Sequence, residues 1–179
     1  LALVIGGILV FFAAGAFLRD KGPGTEPAAF VSVDSPASRD EGTSEQATVV
    51  SITDGDTLET SAGIVRIIGM DTPEREQCGY AEASDLLAQI APPGSTVTLT
   101  LPEGQNDRDR YDRLLRYVTN ADGVDAGLTQ IEAGFAAARY DSIDGYPAHP
   151  KQDAYRAAQR AMFDESRTVI TTSCGAPAE

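Results

Sequence analysis

Three short stretches of this chain gather residue types able to bind a metal ion or an oxyanion. They are Asp54-Gly55-Asp56-Thr57, then Arg66 with Asp71-Thr72-Pro73-Glu74, then Asp109-Arg110-Tyr111-Asp112-Arg113. In the first, Asp-Gly between two β-rich runs is a hairpin or bulge signal. A second carboxylate directly after that turn makes an oxygen-rich corner suited to a hard cation such as Ca²⁺. In the second, Arg66 stands among Val65, Ile67 and Ile68, and a cation in an otherwise apolar strand needs a partner or a ligand. Asp71 opens a turn fixed by Pro73, which holds Thr72 extended and aims its carbonyl outward. Glu74 follows and is read as the first turn of the next helix. The plain alternative is an Arg–Asp or Arg–Glu pair stabilising a turn. The third stretch sets Arg113 at the mouth of a strand, and its plain alternative is a solvated run of charge.

The elements that would position these residues are short. ATVVSI, DTLET and GIVRIIGM are β-rich runs separated by turn chemistry at Asp54-Gly55 and Ala62-Gly63. Tyr80 to Ile90 reads as a helix halted by Pro92-Pro93-Gly94, and Thr96 to Leu101 alternates as a half-buried strand. Leu114 to Thr119 is a further strand. Asp125 caps a helix with Leu128 and Ile131 facing inward, and Gly134 ends it. Gln152 to Phe163 reads as a last helix with a small-residue face of Ala154, Ala158 and Ala161. Three strands, a helix, two strands and two helices make an α+β pattern, and five such strands suit a partly open barrel of the OB type. His149, the single histidine, lies between prolines in a loop and is read as a surface residue without a role.

Composition sets limits around this core. The 179 residues carry a formal charge of −13, which argues against a broad basic nucleic-acid face. A polyanionic ligand is compatible only with locally clustered cations or a divalent ion supplying positive charge. Residues 1–18, LALVIGGILVFFAAGAFL, are uncharged and fit a membrane anchor or a signal segment with a small-residue cleavage site at Ala14-Gly15-Ala16. The chain opens on Leu rather than Met, so a longer segment is expected. Residues 19–46 are rich in Gly, Pro, Ser, Asp and Glu and read as a disordered linker. The folded domain is expected over 47–175, with a short tail at 176–179. Cys78 and Cys174 permit one intrachain bridge or two free thiols. An exported protein favours the bridge, which would contribute roughly 4–5 kcal/mol by closing so long a loop.

The pieces VVSITDGDT, VRIIGMDTPE, DRYDRLLRYV and DAGLTQIEAGFAAARY, in this order and spacing, resemble the staphylococcal-nuclease-like, or thermonuclease, family. The resemblance covers Ala47 to Phe163. It implies an OB-type barrel with three helices and a calcium-dependent phosphodiesterase. Asp56 and Asp71 would be carboxylate ligands of Ca²⁺, with the Thr72 main-chain carbonyl as a third. Glu74 would be the general base or the group that orients the attacking water. Arg66 and Arg113 would hold the phosphate, and Tyr111 and Tyr140 would line a nucleotide pocket. The positions of Cys78 and Cys174 are similar to those of exported members, which supports the bridge. Asp112 stands where the family usually has Gly, and is expected to compete with phosphate for Arg113. Ser142 stands where a second pocket Tyr is usual, and only Lys21 and Lys151 remain of a lysine-rich pattern.

The resulting expectation is an extracellular or outward-facing, membrane-anchored nuclease acting on DNA, RNA or both. Its partners would be the nucleic-acid substrate and, through an uncleaved N-terminal segment, a membrane; no protein partner is expected. Two alternatives stand beside it: a catalytically inactive nucleic-acid-binding OB module, and a calcium-stabilised cell-surface module.

Overall fold

The structure, a computed structural model, describes residues 42–164. The apolar N-terminal stretch, residues 19–41 of the segment read as linker, Cys174 and the C-terminal tail lie outside the described residues. Eleven elements follow in order: β1 Gly42–Ile52, β2 Thr57–Thr60, β3 Gly63–Ile67, β4 Met70–Asp71, α1 Tyr80–Ile90, β5 Thr96–Pro102, β6 Leu114–Asn120, α2 Ala126–Glu132, β7 Ala137–Ala138, a 3₁₀ turn Ser142–Asp144, and α3 Gln152–Asp164.

Five strands close a barrel in the order β1-β2-β3-β6-β5. The barrel is closed rather than partly open because β1 is longer than its sequence suggests. It begins at Gly42, so Gly42–Gln46, read as linker, are strand residues in register with Leu99–Pro102 and Thr98 of β5. Their polar composition reflects an exposed outer edge rather than a lack of structure. The first part of β1 pairs with β5 and the last part with β2, and the register shifts between Val49 and Ser51. Such an irregularity bends a strand so that it serves two neighbours and closes the sheet. β3 and β6 run parallel, with Arg66 opposite Leu115, while the other barrel pairs are antiparallel.

Val49, Leu58, Val65, Ile67, Val97, Leu99 and Val118 fill the barrel, all buried. Each such side chain contributes about 1.5–3 kcal/mol on burial. α1 presents Ala83, Leu87 and Ile90 to this core, the one-face spacing of an amphipathic helix. α2 is capped as its sequence implies: the Asp125 carboxylate accepts the Leu128 N–H at 3.1 Å, and Ile131 is buried. α3 differs in its packing face. Ala154 and Ala161 are exposed, and Tyr155 and Met162 are the buried residues with Ala158 between them. Two large side chains seven positions apart bury more apolar area than a row of alanines, and they set the helix's rotation.

His149 is also buried, not superficial. Its Nδ1 is 2.7 Å from the Tyr117 hydroxyl, and its ring meets Tyr117 and Tyr155 edge-on. Gly69, at φ 82°, allows the approach: a Cβ there would come within 2.6 Å of the imidazole. Burial holds the His149 pKa below the usual imidazole value.

Candidate active site

Asp56 sits in the loop between β1 and β2. That loop packs against α1 so closely that a Cβ on Gly55 would lie 2.5 Å from the Ala83 methyl, which is why the turn needs glycine. Gln130 of α2 clamps it from the other side. Its fully buried amide donates to the Gly55 carbonyl at 2.9 Å and to the Ala83 carbonyl at 2.6 Å. The Asp56 carboxylate, 1% exposed, therefore has a fixed direction. Its Oδ2 accepts the Thr72 N–H and the Thr72 hydroxyl, both at 3.0 Å. Its Oδ1 accepts the Thr57 hydroxyl at 3.0 Å and pairs with Arg66.

Arg66 alternates with Val65 and Ile67 along β3. Those two face the core, so the guanidinium points the other way, and its partners are Asp56 and Asp71, the latter at 2.8 Å. It also donates to the Met70 carbonyl. Asp71 is held by the small β4–β7 ladder, in register with Ala137. The chain leaving β7 brings Tyr140 back over the site, where its hydroxyl donates to Asp71 Oδ1 at 3.1 Å and its ring lies 5.7 Å from the Arg66 guanidinium. Tyr140 adopts a left-handed φ of 61°. A bulky residue holds that conformation only where its surroundings enforce it. Burial and the Asp71 charge push its phenol above the ordinary value.

Arg113 enters from the loop before β6. Asp109 holds it: the carboxylate accepts from the Arg113 N–H, Nε and Nη2, the last two at 2.7 Å. Asp112 is not its partner. It pairs with Arg108 at 3.3 Å and its side chain is 87% exposed, because a left-handed φ of 66° turns it outward. The Arg113 Nη1 reaches the Thr57 hydroxyl at 3.4 Å. One network thus runs from Arg113 through Thr57 to Asp56, through Arg66 to Asp71, and on to Tyr140.

Glu74, Tyr111, Arg66, Asp71, Arg113 and Tyr140 share the lining of one cavity of about 550 Å³. Glu74 lies in the loop before α1, not in that helix; Pro73 and the left-handed Glu76 and Gly79 delay the helix to Tyr80. It is exposed, and its backbone N–H is anchored to the Gln77 side chain at 2.8 Å. Tyr111 is 65% exposed and stacks with Arg110 and Arg113 at 4.7 and 5.5 Å. The sequence-derived site residues therefore converge, with six in the hydrogen-bonded network and Glu74 and Tyr111 on the same cavity.

Sequence reasoning missed four contributors. Thr57 and Asp109 lie inside the motifs, and a donor-acceptor inventory of those motifs would have flagged them. Gln130 and Tyr146 carry no sequence signal, since a glutamine on a helix reads as solvent-facing and a lone loop tyrosine reads as nothing. Asp54 also deserves naming: burial raises its pKa against the opposing pull of Thr57, Arg66 and Arg113.

The donor chemistry suits a hard cation only in part. Asp56 and Asp71 both face Arg66, and among the described residues the cavity lining includes neither a thiol nor an imidazole. Among the described residues, however, no group of three or more His, Cys, Asp or Glu side chains is placed to hold a metal ion together. A cation would rely on two carboxylates, a main-chain carbonyl and oxygens from water or phosphate. It would compete with Arg66 for both carboxylates.

The molecule is thus a closed five-stranded α+β barrel whose cavity is lined by paired guanidinium and carboxylate groups. No family model matches the chain. Two curated proteins do: an uncharacterized endonuclease of Escherichia coli O157:H7 and one of Escherichia coli, each 31% identical over 126 residues, covering 68% of this chain and 78% of the relative. The chain belongs to the same family as these uncharacterized endonucleases.

Proposed function

We propose that this protein is a nuclease of the staphylococcal-nuclease-like type, which hydrolyses phosphodiester bonds of DNA or RNA with the help of Ca²⁺. One observation carries the reading: Arg66, Asp71, Glu74 and Arg113 meet on one cavity, and Asp56 is tied to them through Arg66. Membership of a family whose relatives are named endonucleases supports the same reaction class.

Arg66 and Arg113 orient the phosphodiester, since planar guanidinium donors bind two phosphate oxygens at once and stay charged. Carboxylates hold both at the cavity, Asp109 for Arg113 and Asp56 with Asp71 for Arg66, and the Arg66 pairs would have to redistribute when Ca²⁺ and phosphate arrive. Donors of this kind typically contribute ~3 kcal/mol each to the transition state. Glu74, exposed on the cavity wall, takes or orients the proton of the attacking water. Asp56, Asp71 and the Thr72 carbonyl would hold Ca²⁺, which supplies Lewis-acid stabilisation of charge on a phosphate oxygen. The acidic surface as a whole then has little part in binding, and affinity should fall only modestly with salt.

Two further features belong to this proposal. The uncharged segment 1–18 supports export, with anchoring if it is retained. Export in turn supports a Cys78–Cys174 bridge in an extracytoplasmic protein. The pairing of Arg66 and Arg113 with carboxylates favours one competing reading, a binding module in which both arginines are architectural. The two readings part in one experiment. The full chain is incubated with single-stranded DNA in millimolar Ca²⁺ or excess chelator, beside Glu74→Gln. Cleavage that needs both Ca²⁺ and Glu74 is expected. Folded protein that binds DNA and never cuts it would establish the binding module instead.

A further inference from the structure

Arg116 is a guanidinium that the proposed reaction does not use. It stands on β6 opposite Ile67 of β3, and its side chain is 8% exposed. Leu115 beside it lines the cavity and Arg116 does not. A charge so buried costs stability unless partners meet it. Its main partner is Asp107, in the loop between β5 and β6. Arg116 Nη2 donates to Asp107 Oδ1 at 2.7 Å, and Nη1 to the Asp107 carbonyl at 3.2 Å. Nη1 also donates to the Leu115 carbonyl at 2.9 Å, and Glu45 of β1 lies 3.9 Å from Nη2. The Leu115 N–H adds a bond to the Asp107 carbonyl at 2.9 Å. An otherwise exposed loop residue is thus clamped to the barrel wall.

Two positions after Asp107, the same loop begins the turn that supports Arg113. Asp109 accepts the Arg113 N–H at 3.0 Å, its Nε at 2.7 Å and the Tyr111 N–H at 2.9 Å. The Asp109 N–H returns to the Arg113 carbonyl at 3.0 Å, and Arg108 closes on the Asp112 carbonyl at 2.8 Å. These bonds fix Arg113 relative to Asp109. They do not fix the turn relative to the barrel, because all of them lie within residues 108–113. The turn's hydrogen bond across the site, from Arg113 to the Thr57 hydroxyl, is long at 3.4 Å. One end of the turn runs into β6, and the other is tied by the Arg108–Leu114 bridge and the Asp107 clamp.

We propose that Arg116 is a positioning residue for Arg113: by clamping Asp107 it sets the direction of the turn on which Asp109 holds the second phosphate-binding guanidinium. This role rests on the nuclease reading and adds to it a residue outside the cavity. Planar donors meet a carboxylate and a carbonyl of one residue together, so Asp107 has a single seat where an apolar side chain would leave it several. Displacing a reacting group by about 1 Å is enough to cost up to about 10²-fold in rate.

The test uses the full chain. Arg116→Met keeps the bulk of the side chain in β6 and removes the clamp, and the Asp107 carboxylate, 57% exposed, is left hydrated. The kcat/KM for single-stranded DNA in Ca²⁺ is expected to fall about tenfold. Asp107→Ala, a change on the surface that keeps the test open if Arg116→Met fails to fold, should lose as much. Asp107→Asn retains an oxygen for Arg116 and should restore most of the rate. In an Arg113→Ala background, Arg116→Met should cost less than about twofold more, because the group it positions is gone. Equal losses in the two backgrounds would overturn the proposal and leave Arg116 a support of the barrel alone. A second measurement needs no cleavage. Residual dipolar couplings of the backbone N–H groups of residues 109–113 should fit one rigid frame with the barrel strands in wild type and depart from it in Arg116→Met. Identical couplings in the two proteins would also overturn the proposal. Wild type that never cuts DNA would sink the nuclease reading, and the couplings would then decide by themselves whether Arg116 places Arg113.

Discussion

Arg66 and Arg156 each hold two aspartates, Asp56 with Asp71 in one case and Asp141 with Asp144 in the other. Both guanidiniums are mostly buried, and each group has one almost fully buried carboxylate, Asp56 or Asp141. Their surroundings differ. The Arg156 group closes on itself between α3 and the 3₁₀ turn, and its hydrogen bonds to Asp141 hold that carboxyl below the usual range while raising Arg156. The Arg66 group opens on a cavity of about 550 Å³ that also receives Glu74 and Arg113. Its second carboxylate, Asp71, lines that cavity, whereas Asp144, of similar exposure, does not. Identical residue types thus make a loop fastener in one place and a candidate reaction site in the other. Access and surplus charge separate them, not composition.

Arg66→Ala should break the comparison most strongly. Cleavage is expected to drop by about 10²–10³-fold, and stability to fall by about 3–5 kcal/mol because Asp56 is left buried and unpaired. Single-turnover cleavage at a temperature where the variant is folded isolates the first effect, and denaturant titration the second. An Arg66→Ala protein that cut normally would remove the chemical distinction altogether.

Arg156→Ala sharpens it from the other side. Stability should fall by a similar ~3–5 kcal/mol, again read by denaturant titration. The folded fraction should retain Ca²⁺-dependent cleavage with a raised KM, since only the loop bearing Tyr146 has loosened. A collapse of kcat as deep as that of Arg66→Ala would place both groups in the chemistry.

Acid should act on the closed region through His149. Burial lowers its pKa from the ordinary 6.5, so the unfolded chain binds this proton more readily than the folded one. Stability is then level above about pH 6.5 and declines as pH falls below that value. Below the ordinary carboxylate value of 3.8, Asp141 adds a second decline, because its lowered pKa means the ion pair is lost only on protonation. His149→Gln should flatten the first limb in urea titrations run across that range. A wild-type profile with no slope below pH 6.5 would contradict the assignment.

Asp112→Gly should have the smallest effect. The residue lies at φ 66° and pairs with Arg108 on the surface, so glycine should relieve strain and add roughly 0.5–1 kcal/mol. Cleavage should stay within about twofold, by the assay used for Arg66→Ala. A left-handed backbone is the conformation that Gly adopts at least cost, independently of Arg113.

The barrel and the three helices were legible because each rests on local pattern, while the site residues were named through the family resemblance on turns that local pattern could place. Period-2 runs make the strands, Pro92-Pro93-Gly94 and Gly134 stop helices, and Asp54-Gly55-Asp56 and Asp71-Thr72-Pro73 are turns whose polar residues have few places to go. What escaped was long-range or conditional on burial. Gly42–Gln46 are polar and become strand only because β5 offers them partners. Ala154 and Ala161 suggested a face that Tyr155 and Met162 took instead, with the Tyr155 ring lying against Gly127 and His149. Asp112 appeared to be the rival for Arg113 by adjacency, whereas backbone direction gave that place to Asp109.

By itself the sequence determined which residues are able to act: which turns carry carboxylates, which strand carries an arginine it cannot bury alone, and the order in which they arrive. Only the tertiary structure decided which charges meet. Gln130 pins the Asp56 loop from 75 positions away, and the β4–β7 ladder returns Tyr140 to Asp71. A buried loop links His149 to a core it has no local reason to join. Periodicity and turn chemistry are properties of neighbours along the chain, while ion pairs and cavities are made by groups that only a closed barrel brings within reach.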